Sequence, residues 1–106
     1  MLILKDGVIL KGNKYINAML TAVQAVYDKH SWLAVITSGH DSHEGKISYH
    51  NEDRAIDVRF WDVPPDQRLQ VAVHLKALLP PYYDVIIEEN HFHIEADAKK
   101  EAGVHQ

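Results

Sequence analysis

The chain contains no cysteine. That excludes disulfides and thiolate metal sites, so any zinc must be held by histidine and carboxylate. No apolar run approaches the roughly 18–20 residues needed to cross a bilayer. The opening residues Met1-Leu2-Ile3-Leu4-Lys5-Asp6 lack the basic segment and long apolar segment of a signal peptide. The expectation is a chain made in a cytoplasm, or one that has already lost a leader, with no membrane partner. Cations are in the minority: 11 Lys and Arg face 15 Asp and Glu, a net charge of −4. With no basic stripe to follow a phosphate backbone, nucleic acid is excluded as a general partner.

What is present suits one small domain. The 106 residues, 46% of them hydrophobic, allow one core spanning 1–106, and a monomer is expected. Eight histidines are many for this length and raise the prospect of metal binding.

Periodicity gives the elements. Leu2–Leu4 and Val8–Leu10 flank Asp6-Gly7, a hairpin signal. Ile16, Met19, Leu20, Val23, Val26 and Tyr27 form one apolar stripe, which predicts a helix over 14–29 capped by Asn13. Such a stripe is ordinarily core. Residues 32–38 read as a strand, followed by a polar loop from Gly39 to Lys46 that carries His40 and His43. Residues 54–60 alternate: Ile56, Val58 and Phe60 on one face, Ala55, Asp57 and Arg59 on the other. Pro64-Pro65 opens a second helix that runs to about Leu79, with Val71, Ala72, Leu75, Leu78 and Leu79 as its buried face. Residues 83–88 and 91–95 read as strands, and 98–106 as a polar, frayed tail. The fold class expected is α+β: a small antiparallel sheet with two helices on one face and a zinc cleft on the other.

Two stretches carry the chemistry. Ser48 to Asp57 contains His50 and, seven positions on, Asp57. Glu88-Glu89-Asn90-His91-Phe92-His93 contains two histidines that share a strand face. Each residue alone reads as an ordinary polar side chain. Together, His50, Asp57 and one of His91 or His93 supply three corners of a tetrahedral zinc site, with the fourth open, as catalytic sites require. Spacing does not choose between His91 and His93.

The two stretches resemble the zinc peptidases that include D-Ala-D-Ala carboxypeptidases and dipeptidases, lysostaphin and the hedgehog signalling domain. Those share an H-x6-D element followed by H-x-H. In the carboxypeptidase branch the first element often reads S-x-H-x-x-G-x-A-x-D. Ser48, His50, Ala55 and Asp57 fit it, and Asp53 stands where glycine is usual. The resemblance extends more loosely from Val35-Ile36-Thr37-Ser38-Gly39 to Asp97. It implies Zn2+ as cofactor, with His50, Asp57 and His93 as ligands and His91 beside the reacting centre. It places the general base at Glu88, with Glu89 the alternative. Strict alternation sets Glu88 on the face opposite His91, so a turn or bulge at Glu89-Asn90 is required. Gly39-His40-Asp41 stands where that branch often carries a carboxylate-holding arginine. Ser48, His43 and Arg59 are the substrate-binding residues expected, and His40 is a further substitute for that arginine.

The function implied is hydrolysis of an amide bond in peptidoglycan stem peptides, as a carboxypeptidase or endopeptidase. The setting implied is phage-type lysis, or one domain of a larger wall enzyme. The rival expectation is a zinc-dependent binding domain without catalysis, as fold alone does not fix function. A metal-free α+β domain is the third.

Overall fold

The computed structural model describes residues 1–39 and 53–104. It is a small α+β domain with three helices and one five-stranded mixed sheet. The elements are β1 (Leu2–Leu4), α1 (Lys14–Lys29), β2 (Ala34–Ser38), β3 (Ala55–Arg59), a 3-10 turn (Pro65–Gln67), α2 (Arg68–Ala77), β4 (Tyr83–Ile87), β5 (His91–Ala96) and α3 (Ala98–Val104). The strand order is β1-β2-β3-β5-β4.

Helix α1 spans the range the apolar spacing predicts. Asn13 caps it, its Oδ1 accepting from the Ile16 N–H at 2.9 Å. Asn13 Nδ2 also donates to the Asp53 carbonyl at 2.9 Å, tying the helix start to the entry of β3. Asp53 has φ +55. This is the left-handed conformation that glycine adopts without strain, and the position is the one where the resembled motif has glycine. Aspartate tolerates it better than residues that cannot bond their own backbone. Asp53→Ala is expected to be about 1 kcal/mol less stable than Asp53→Gly, read from urea midpoints.

The core follows from alternation. Ile56, Val58 and Phe60 from β3 and Phe92, Ile94 and Ala96 from β5 are all buried. They meet Ile16, Met19, Val23 and Val26 of α1 and Val71, Ala72 and Leu75 of α2 in one cluster. Both helices therefore cover one face of the sheet. Asp57, Arg59, His91, His93 and Glu95 lie on the other.

Four expectations need correction. The sheet is mixed rather than antiparallel, because β1 pairs in parallel with β2, Leu2 beside Ala34 and Leu4 beside Ile36. The hairpin of Leu2–Leu4 with Val8–Leu10 does not form. A turn does occur at Asp6-Gly7, with Gly7 at φ +86 and the Val8 N–H bonded to the Lys5 carbonyl at 3.0 Å. The chain then diverges, and Val8 and Leu10 pack as partly buried side chains against the core. Burial of those side chains outweighs the local turn preference.

Leu78 is half exposed, not part of the buried face; it caps α2, which ends at Ala77, and borders an open hollow against α1. The expected tail is a helix as far as Val104. Asp97 Oδ1 accepts from the Lys99 and Lys100 N–H groups at its start. Glu101 anchors it, accepting from Tyr15 Oη at 2.8 Å and Arg54 Nη2 at 2.9 Å. Those two partners hold the Glu101 carboxyl below its usual range.

Candidate metal centre

Strand register assembles the site. In the β3–β5 ladder Asp57 lies opposite His93, Arg59 opposite His91 and Ala55 opposite Glu95. Paired residues on antiparallel strands share a face, and their side chains are near neighbours. Two short polar patterns, 36 residues apart in sequence, become one surface.

Asp57 is the hub. His93 Nδ1 lies 2.8 Å from Asp57 Oδ1, and His91 Nε2 lies 3.6 Å from Asp57 Oδ2. His93 Nε2 is 2.9 Å from Glu95 Oε1. Flanked by two carboxylates, His93 titrates above the usual histidine range. The hydrogen bond to Asp57 is the chief cause, and burial opposes it. His91 Nδ1 is held by Asn90 Oδ1 at 2.6 Å.

The donor types, imidazole and carboxylate, are ones that zinc takes. Two ligands at 2.0–2.1 Å on a tetrahedral ion stand about 3.3 Å apart. The Asp57–His93 contact is at hydrogen-bond distance, 2.8 Å, and His91 lies 3.6 Å from the other Asp57 oxygen; among the described residues these three do not form a close-set group that could share an ion. Glu95 completes a carboxylate–histidine arrangement. With Glu95 accepting the hydrogen bond from Nε2–H, the Nδ1 lone pair of the neutral ring is left toward Asp57 and any metal there. The sequence pattern H-x-H-x-E already places Glu95 on the histidine face, but only the structure gives it this partner. Glu95→Gln is expected to weaken zinc binding by about 10–100-fold, as loss of an orienting partner does, measured by competition with a chromophoric chelator.

A bulge lies beside this centre. Between Ile36 and Ser38 the β2 register slips, so that Ile36 pairs with Val58 but Ser38 pairs with Asp57. The extra residue sits directly across from the proposed ligand, a placement common near active sites.

The hairpin supplies the required turn. Ile87 pairs with Phe92, and the Glu88 N–H donates to the His91 carbonyl at 2.9 Å. Glu89 and Asn90 form the two-residue connection, which sets Glu88 opposite His91. Alternation along β4 then puts Glu88 on the same face as Ile86, the partner of His93. Glu88 and Glu89 are both exposed. Of the other expected site residues, Arg59 is on this face, and His50, Ser48, His43 and His40 lie outside the described residues.

A second polar group needs separate treatment. Among the described residues Asp84, Glu95 and Asp97 are the three acidic groups close enough to share an ion. Lys100 Nζ already contacts Asp84 at 2.8 and 2.9 Å, with Lys76 Nζ at 3.4 Å. Asp97 caps α3 and Glu95 faces His93. Each carboxylate thus has a partner within the chain.

A larger hollow lies elsewhere. About 400 Å³ in volume, it is lined by Asn17, Ala18, Thr21, Ala22, Ala25 and Leu78 on the helical side of the sheet. It offers no titratable group for chemistry. A smaller hollow of about 130 Å³ adjoins this polar face, between Lys5, Thr37, Arg59, Trp61, Asn90 and His91.

No protein-family model matches the chain, and no curated protein matches it.

Proposed function

We propose that this protein is a zinc metallopeptidase that hydrolyses an amide bond in peptidoglycan stem peptides. The observation that carries the proposal is the in-register pairing of Asp57 with His93, with Glu95 behind the imidazole and His91 beside it. His50 is the third ligand, on the resemblance of the H-x6-D element to that of zinc peptidases. The fold class and the polar face opposite the helices support the same reading.

The chemistry zinc supplies in such a donor set is Lewis acidity, which polarises a carbonyl and acidifies water toward a pKa of about 7. The chain's own groups do the rest. Glu88 takes the proton of the attacking water and delivers it to the leaving amine. His91, steadied by Asn90, donates to the carbonyl oxygen as negative charge develops there. Asp57 and His93 would hold the ion together with His50, and Glu95 fixes the His93 ring through Nε2.

Mass spectrometry of fragments released from purified peptidoglycan, with and without a zinc chelator, tests the proposal. Chelator-sensitive release of defined peptides is expected and names the bond cut. If folded, zinc-loaded protein releases nothing from several wall types, the enzyme reading fails and a binding domain takes its place. Glu88→Gln is expected to retain zinc while turnover drops by about 10²–10⁴, the usual worth of a general base. Unchanged turnover would move that role to Glu89 or His91.

A further inference from the structure

We propose that the open edge of β4 is the contact surface of a homodimer, in which β4 pairs antiparallel with β4 of a second copy about Ile86. This departs from the monomer expected above, and it does not rest on the peptidase reading.

Strand β4 ends the sheet, with β5 on one side only. Bonds at the two ends of that ladder show which backbone groups turn inward. The Glu88 N–H reaches the His91 carbonyl, and the Asp97 N–H reaches the Tyr82 carbonyl. Direction alternates along an antiparallel strand, so Tyr82, Asp84, Ile86 and Glu88 bond toward β5, and Tyr83, Val85 and Ile87 point outward. Tyr83 is already satisfied. Its N–H donates to the Pro80 carbonyl at 3.1 Å, and its carbonyl accepts from Lys76 Nζ at 2.7 Å. What remains are the N–H and C=O of Val85 and of Ile87, which bond to nothing among the described residues.

One register satisfies all of them. With Ile86 opposite Ile86 of the second copy, each Val85 faces an Ile87, and the two exchange N–H···O bonds. A slip that sets Val85 opposite Val85 puts Ile87 against Tyr83, whose groups are taken. A slip that sets Ile87 opposite Ile87 leaves Val85 beside the turn at Glu89-Asn90.

The side chains fit the same register. Ile86, on the polar side, is 42% exposed, and Ile87, on the helical side, is 41% exposed. Lys76 reaches the β4 edge from α2, and Leu69 and Val73 precede it by seven and three residues, on the same flank. Both are exposed. Charged residues, prolines and bulges normally protect such an edge, and none interrupts Val85-Ile86-Ile87. The opposite edge, β1, is three residues long and runs straight into Lys5 and Asp6. Charge selects the partner. Antiparallel pairing brings Glu89 of one copy beside Lys76 of the other. Asp84, which then faces Glu88, is already answered by Lys100 at 2.8 and 2.9 Å. A second copy carries this pattern by symmetry, as a twofold interface requires. The two sheets become one, with both polar faces on the same side. His93 is the ladder partner of Ile86, so the two His93 residues lie three strand spacings apart, about 14 Å.

Sedimentation equilibrium of the full chain is expected to give twice the chain mass in the micromolar range. Ile86→Lys sets like charges face to face at the twofold. It is expected to weaken association at least about a hundredfold, with an unchanged melting temperature. The chain has no cysteine, so Ile86→Cys carries a single thiol. Facing residues in a pair of this kind have Cα atoms about 4.5 Å apart, within disulfide reach. Mild oxidation is expected to crosslink Ile86→Cys into a covalent dimer and to leave Ile3→Cys, exposed on β1, as single chains. Monomeric wild-type protein throughout the micromolar range, undiminished association of Ile86→Lys, or crosslinking of Ile3→Cys as fast as Ile86→Cys would each overturn the pairing.

Discussion

Asp57→Ala abolishes both zinc binding and hydrolysis, if the proposed centre is correct. Asp57 is the residue on which both histidines converge, at 2.8 and 3.6 Å. Its removal takes away a ligand and also the group that orients His93. The expected loss of zinc affinity exceeds a hundredfold, beyond the 10–100-fold cost of losing an outer partner. His93→Ala and His50→Ala are expected to match it. Equilibrium dialysis against zinc gives the affinity, and the wall-digestion assay gives the activity. Circular dichroism separates site loss from unfolding, since Asp57 and His93 are on the polar face and not in the apolar core. Retained hydrolysis in both Asp57→Ala and His50→Ala would refute the metal centre.

Phe92→Ala has the largest effect expected on stability. Phe92 is fully buried, between Val58 of β3 and Ile87 of β4 in the ladders. Its ring meets that of Phe60 edge to face, 5.1 Å between centroids and 75° between planes. Deleting a ring from such a site costs about 3–5 kcal/mol through lost burial and the cavity left behind. That is a large share of the roughly 5–15 kcal/mol that holds a domain together. The melting temperature is expected to fall by roughly 12–40 °C, the range a domain of this size gives for such a loss. A drop within a few degrees would mean that the neighbouring strands collapse into the space. Phe92 also separates His91 from His93, so the variant should weaken zinc binding even where it remains folded.

Much of this arrangement is legible in the residues. The stripe from Ile16 to Tyr27 sets α1, and alternation in 55–59 and 91–96 sorts core from polar face correctly. Asp57, Arg59, His91 and His93 are placed on one face by parity alone. What parity lacks is pairing. The opposition of Asp57 and His93 depends on a register between strands 36 residues apart, and no local pattern states it. The same holds for β1. Its partner could be read as the next apolar run, Val8–Leu10, and turns out to be β2, beyond a whole helix. Glu88 shows the reverse case: alternation fails there because a tight turn intervenes, and the acidic-polar pair Glu89-Asn90 is the signal for it. Helix α3 is hidden because much of its hold comes from far along the chain, Glu101 reaching Tyr15 and Arg54 and Lys100 reaching Asp84. Lys5 gives no hint of the hollow it lines, since a lone lysine after a short strand looks like any solvated charge.

The parallel pairing of β1 has a further effect, on how the protein behaves in concentrated solution. β2 reads Ala-Val-Ile-Thr-Ser, and its first three residues are buried. Such an apolar, β-branched run is a ready template for another chain when its backbone edge is open. Leu2, Ile3 and Leu4 occupy that edge. The N-terminal ammonium, paired with Asp28, holds the cover in place. Three residues thus cover the edge of β2, and their deletion is expected to turn that edge into a site of aggregation.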